Sequence, residues 1–104
     1  LVAGMIDCAC QGQTWHAMRG GGAWRNETRI AMTREARLEK ANLFYSGLHW
    51  FVKGGFERQI LELARRTERQ RGYGDWYGFM LAAQGAGEAM IDYGVHAWDV
   101  AAVV

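Results

Sequence analysis

Two carboxylates near the end of the chain, Asp92 and Asp99, stand seven positions apart and bracket the stretch Tyr93-Gly94-Val95-His96-Ala97-Trp98. Carboxylates at both ends of one short loop could converge on a hard cation or a polyol, because Mg²⁺ takes oxygen ligands and keeps several of its waters. Spacing alone leaves a second reading open: an Asp beside an apolar run is also a helix cap that takes up orphan N–H groups. Asp75 poses the same choice. It follows Gly72-Tyr73-Gly74 and opens an apolar run, so it reads either as the N-cap of a tight turn or as part of a helix start whose free N–H groups meet a polar substrate. The glycines are too few for a phosphate-binding loop, and no Gly-Lys-Ser/Thr follows.

Other chemically capable residues carry less. Cys8 and Cys10 read as thiols on one strand face, which could hold a soft metal if further ligands came in. His16, His49 and His96 are scattered along the chain, however, and no second cysteine pair exists. Buried or half-buried strand thiols are therefore the expectation, and a pair so close along one strand does not bridge easily. Ser46 has no nucleophile-elbow pattern around it. His96 either orients a substrate or closes the loop between the two acidic residues. Arg65, Arg66, Arg69 and Arg71 lie near Tyr73, Trp76 and Tyr77, the one place where a single-strand nucleic-acid surface could start. Interleaved Glu62 and Glu68 dilute it, and a solvated helix face accounts for the arginines.

Composition bounds what these residues can serve. The 104 residues suffice for one small domain with a modest core, and half of them are apolar. Twelve basic against eleven acidic side chains leave a net charge of +1, which gives no sequence-level case for a nucleic-acid partner. No apolar run approaches the roughly 18 residues of a membrane span, and the first residues lack a signal-peptide layout. A soluble cytoplasmic protein with reduced thiols is the expectation. The chain opens on Leu1 in what already reads as a strand and closes a few residues into what reads as a helix. A fragment truncated at both ends is expected.

The elements that must position the acidic residues follow from periodicity. Leu1 to Cys10 and Thr14 to Arg19 read as a hairpin about Gln11-Gly12-Gln13. Gly20 to Thr28 reads as a second turn region leading to a short apolar stretch at Arg29 to Met32. Thr33 to Asn42 is a polar connection, Leu43 to Ser46 a strand, and Gly47 with Gly54-Gly55 opens a loop. Phe56 to Gln70 is the clearest helix, with Phe56, Ile60, Leu63 and Ala64 on its apolar face and Glu62 spaced to support Arg66. A strand end at Arg71 to Asp75 then turns into a helix, Trp76 to Gln84, apolar nearly all round and ended by Gly85. Glu88 to Tyr93 alternates as a strand before the final helix. This alternation argues a layered mixed α/β arrangement.

With these elements in order, the segment "RGYGDWYGFMLAAQGAGEAMIDYGVHAWDVAA" resembles the inositol monophosphatase family. The resemblance rests on an Arg-x-x-Gly stretch opening a buried helix, an Ala-x-Gly turn, a strand ending in an acidic residue, and Trp-Asp-x-Ala-Ala. At the front, Val2-Ala3-Gly4-Met5-Ile6 and "AMRGGGAWRN" look like the family's hairpin, with Asn26-Glu27 where Asn-Gly is usual. Gly74-Asp75 followed by an aromatic and Tyr77 is most similar to the histidinol-phosphate phosphatase branch. The resemblance implies an α/β fold, the C-terminal part of an alternating α/β/α/β/α sandwich with a mixed sheet.

It further implies a Mg²⁺-dependent phosphomonoesterase acting on a small phosphorylated alcohol, histidinol phosphate being favoured. Inositol phosphates, sugar phosphates and nucleotide 3′-phosphates are the alternatives within the family, and a small non-catalytic α/β binding module is the alternative outside it. By the same resemblance Asp99 matches a metal-ligating Asp. Asp92 matches an acidic position, commonly Glu, that contacts the alcohol, while Gly74, Asp75 and Trp76 match a substrate-contacting turn and Arg71 an Arg near that pocket. Relatives of this kind are often homodimers. The family's other metal ligands sit in a Glu-Glu segment and an Asp-Pro-x-Asp-Gly-Thr segment, and neither occurs in these 104 residues. The segment by itself is therefore expected to be inactive.

Overall fold

The computed structural model describes residues 1–35 and 37–104. Strands β1 (Ala3–Cys8), β2 (Gln13–Met18), β3 (Gly22–Arg25) and β4 (Thr28–Ile30) form an antiparallel sheet in chain order. Strands β5 (Asn42–Tyr45), β6 (Arg69–Gly72) and β7 (Ala89–Ile91) form a parallel sheet in the order β6-β5-β7. Helices α1 (Leu48–Lys53) and α2 (Glu57–Arg66) connect β5 to β6, α3 (Asp75–Ala83) connects β6 to β7, and α4 (Ala97–Val100) follows β7. The layered α+β class is the expected one, with antiparallel and parallel pairing divided between the two sheets.

Burial explains the strands. In β1, Gly4, Ile6 and Cys8 alternate inward against outward Ala3, Met5 and Asp7, the period of a sheet with one covered face. In β5 the neighbours Leu43 and Phe44 are both buried, as a strand covered on both faces requires. Cys8, Trp15 and Met80 form the core cluster, with Ile6, Trp76, Tyr77 and Phe79 packed around it. Helix α3 thus lies between the layers. Its Gly78, Met80 and Ala82 are buried, and its far side meets β7.

That placement depends on Gly78. A Cβ there would sit 2.4 Å from the Tyr73 carbonyl oxygen and 2.6 Å from Met90 Sδ, distances that a packed interior does not accommodate without backbone movement. Gly78→Ala is expected to cost about 1–3 kcal/mol despite the higher helix propensity of alanine. The urea midpoint of the intact protein measures it. Gly4 serves the other end of the chain in the same way, since a Cβ there would lie 2.6 Å from the Ala102 carbonyl oxygen. The segment after α4 consequently rests directly on β1.

The structure departs from the sequence expectations in several of these elements. Gly22–Arg25, read as part of a turn region, is strand β3, entered from a bend at Gly20-Gly21 and left through Asn26 at φ 51°. The Asn26 side chain ties this turn to the first hairpin, accepting from the Thr14 N–H at 2.9 Å and donating to the Gly12 carbonyl at 3.2 Å. Helix α1 occupies what read as a loop, because six residues with only Phe51 buried show no apolar stripe. Helix α2 ends at Arg66 rather than Gln70. Thr67 turns extended, its hydroxyl donating to Leu63 O at 2.7 Å, and the next two N–H groups bond Ala41 O to start β6. On α2 the partner of Glu62 is Arg65, at 3.8 Å, and not Arg66. Finally, Gly74 and not Asp75 is the N-cap of α3. Of the polar connection at Thr33 to Asn42, Leu38–Lys40 makes a 3₁₀ turn and Asn42 already belongs to β5; Ala36 falls outside the described residues.

Candidate active site at the ends of the parallel strands

A parallel sheet concentrates loops and helix starts beyond the carboxyl ends of its strands, where ligands of open α/β sheets bind. An open cleft of about 490 Å³ lies there, between the ends of β5 and β7, the start of α3 and helix α4. Ser46 and Gly47 come from the end of β5, Gly74, Asp75 and Trp76 from the start of α3, Asp92 to Val95 from the end of β7, and Asp99 from α4. Five of the six residues singled out in the sequence are therefore brought to one concavity. The sixth, Arg71, is exposed on β6, does not line the cleft, and turns its guanidinium back to donate to Gln70 O at 2.8 Å.

The carboxylates are held differently. Asp92 is half-buried, and its Oδ1 accepts both the Ser46 hydroxyl and the Tyr93 N–H. Two donors on one oxygen fix the carboxylate plane and leave Oδ2 as the available acceptor. Ser46, dismissed in the sequence as a nucleophile, is thus the positioning partner of Asp92. Only the parallel β5–β7 register, with Tyr45 opposite Ile91, puts these two strand-end residues side by side. A contact across 46 residues leaves no local signal in the sequence.

Asp99 is exposed and sits at the third position of α4, with His96 as N-cap. Its Oδ2 accepts the His96 N–H at 2.8 Å, completing a capping box. The capping reading is therefore observed, although Asp99 caps backwards from within the helix. Only one of its oxygens is engaged among the described residues. His96 closes the loop, its ring stacked on the exposed indole of Trp98 at 4.6 Å between centroids. Asp75 is exposed and adopts φ 54° as a non-glycine residue. Asp and Asn tolerate that left-handed geometry best, and strain of this kind gathers at ligand sites.

Among the described residues no Lys or Arg lines the cleft, while three carboxylates do. Such a lining attracts cations and hydrogen-bond donors and repels phosphate. As a hard oxygen donor with an oxygen to spare, Asp99 suits Mg²⁺. Among the described residues, however, no three His, Cys, Asp or Glu side chains are grouped to hold a metal. The residues present fit one ligand of a Mg²⁺ site and not a complete one.

Comparison with known proteins places the family and the fold. The chain matches the Inositol monophosphatase family over residues 1–104. It is 29% identical over 105 residues to a histidinol-phosphatase of Mycobacterium tuberculosis, covering 96% of this chain and 40% of the relative. With a histidinol-phosphatase of Streptomyces coelicolor it shares 27% identity, covering 97% and 40%. Among solved structures it superimposes on an inositol monophosphatase from Zymomonas mobilis with a TM-score of 0.90 at 22% identity, covering 99% of this chain and 40% of that one. The extragenic suppressor protein suhB of Bartonella henselae gives 0.87 at 23% identity, covering 99% and 41%. The chain thus spans about 40% of the length of the curated relatives it matches. With its hairpin sheet, its buried helix and its acidic cleft in the same order along the chain as the sequence resemblance required, and a family match from end to end, the chain belongs to the inositol monophosphatase family.

Proposed function

We propose that the protein carrying this chain is a cytoplasmic Mg²⁺-dependent phosphomonoesterase whose favoured substrate is histidinol phosphate. The observation that carries the substrate is the composition of the cleft: Asp75, Asp92 and Asp99 with no basic residue among the described residues that line it. A substrate that carries an ammonium group next to its phosphorylated alcohol suits such a lining better than a neutral polyol does. The names of the curated relatives point the same way. For the setting, both thiols are free, as a reducing compartment keeps them.

Within this reading the residues divide the work by what each can reach. Mg²⁺, when bound, neutralises charge on phosphate oxygens and acidifies a water for attack on phosphorus. Asp99 contributes one carboxylate oxygen to that ion while its other oxygen, held by the His96 N–H, keeps the side chain in place. Asp92 presents Oδ2 to a hydroxyl or ammonium of the alcohol, because Ser46 and the Tyr93 N–H occupy Oδ1. Asp75, at the start of α3, faces the same cleft and supplies the second negative charge for an ammonium group. Phosphate contacts and the remaining metal ligands come from outside these residues.

Substrate comparison tests the proposal. Asp75→Asn removes the charge and keeps a residue that tolerates the left-handed backbone, which Ala does not. In the intact protein it is expected to lower kcat/KM for histidinol phosphate about tenfold, equivalent to ~1.4 kcal/mol, and to change that for inositol 1-phosphate by less than about twofold. Equal losses on both substrates would remove Asp75 from ammonium recognition. Preference of the unmodified protein for inositol 1-phosphate would move the assignment to the other phosphatases of the family, the reading that the solved inositol monophosphatase relatives favour.

A further inference from the structure

The two cysteines do not lie as the strand reading placed them. Strand β1 ends at Cys8, and Ala9–Gln11 turn in a 3₁₀ conformation closed by Gly12 at φ 61°. Residues in such a turn advance about 2.0 Å each instead of the roughly 3.3 Å of a strand. The turn folds Cys10 back over Cys8, and the Sγ atoms come within 3.3 Å in a thiol–thiol hydrogen bond. The pair is also asymmetric. Cys8 is 8% exposed, packed against Trp15 and Met80, whereas Cys10 is exposed. The hydrogen bond to Cys10, followed by burial, pushes the Cys8 thiol above its ordinary range, so near neutral pH it keeps its proton. Neither residue lines the acidic cleft, and two thiols without a third ligand do not make a soft-metal site.

We propose that Cys8 and Cys10 form a peroxide-sensitive dithiol site in which Cys10 is the attacking thiol and Cys8 the resolving one. Cys10 gives its proton to solvent, its thiolate attacks one oxygen of a peroxide, and the O–O bond breaks; a sulfenic acid forms on Cys10 and the other oxygen leaves as hydroxide, which takes up a solvent proton to become water. The Cys8 sulfur then displaces that hydroxyl. The S–S bond forms, the Cys8 proton leaves with the hydroxyl as a second water, and two thiols have given two electrons to one peroxide. Exposure selects Cys10 for the first step, and 3.3 Å of separation makes Cys8 the nearest partner for the second. A thiol reductant reverses the product by exchange. The disulfide would tie the end of β1 to the turn that sets the hairpin carrying Trp15.

Treating the intact reduced protein with one equivalent of hydrogen peroxide and mapping its peptides tests the site. The peptide carrying both cysteines is expected to lose two hydrogens in mass, to resist alkylation at both positions, and to recover fully with dithiothreitol. Cys8→Ser should halt the reaction at Cys10 as a sulfenic acid trapped by dimedone, while Cys10→Ser should leave Cys8 reduced and alkylated only after denaturation. Should Cys10 over-oxidise to sulfinic acid while Cys8 remains alkylatable, or should Cys8 become the dimedone-labelled residue, the proposal is overturned. A circular dichroism spectrum matching the unmodified protein establishes that either serine variant is folded before its result is read.

Discussion

Asp99→Asn will lower phosphate release by the intact protein about 10³-fold, a loss of ~4 kcal/mol of transition-state stabilisation, while leaving its folded signature in place. The substitution separates the observed cap from the proposed metal-ligating role. Asparagine keeps an oxygen acceptor for the His96 N–H, so the capping box of α4 is retained in geometry and weakened by no more than about 1 kcal/mol. What it removes is the negative charge and the second anionic oxygen offered to Mg²⁺. Were Asp99 only a cap, the Asn variant would turn over near the unmodified rate. The Mg²⁺ concentration giving half-maximal activity provides a second readout, expected to rise at least about tenfold. A large loss of activity at unchanged unfolding midpoint assigns the residue to the metal.

Trp15→Ala will have the largest effect on stability, about 3–5 kcal/mol by urea unfolding. Trp15 is 3% exposed, the lowest value shared in the core, and links the two layers. Its indole N–H donates to Gln84 Oε1 at 3.2 Å at the end of α3, and its ring packs at 5.5 Å and 58° against Trp76. Truncation opens a cavity between the hairpin sheet and α3 that the strand backbone is too constrained to fill. Gln84 Oε1 retains a donor in Arg25 at 3.3 Å, so the cost comes from packing more than from an orphaned oxygen. Trp15→Phe, which keeps a ring and loses the N–H, should cost about half as much. Because Trp76 also lines the cleft, the Ala variant is expected to raise KM in parallel with its loss of stability.

The sequence exposed the parts of this fold in which chemistry repeats locally. The β1–β2 hairpin, strands β5 and β7, and the apolar helix α3 each announce themselves through period, glycine punctuation or unbroken apolarity, and each stands within a few residues of its expected bounds. Helix α1 did not, because six residues between glycines with Phe51 alone buried have no period to read. Strand β3 was hidden by its position among glycines, where a four-residue strand with intermediate burial throughout looks like turn. The two thiols were mislocated because a single 3₁₀ turn at a strand end changes a side chain's direction without changing composition.

The candidate site divides along the same line. Asp75, Asp92 and Asp99 were legible as types at loop edges, and the structure gathers them at one end of the parallel sheet. Arg71 was placed near that pocket by resemblance to the family, yet its strand points it elsewhere. Ser46 and its bond to Asp92 depend on a pairing between strands 46 residues apart, which composition and spacing do not encode locally. Whether Asp99 caps or ligates was undecided from spacing; the structure shows the cap on one oxygen, and ligation through the other is the proposal that Asp99→Asn tests.

The most direct test of the proposed activity is phosphate release from histidinol phosphate by the intact protein, measured with Mg²⁺ and again after chelation. The expected result is turnover that chelation abolishes and Mg²⁺ restores, with residues 1–104 alone releasing none. Release that survives chelation, turnover by residues 1–104 alone, or an intact folded protein inert toward histidinol phosphate, inositol 1-phosphate and other phosphomonoesters in Mg²⁺ would contradict it.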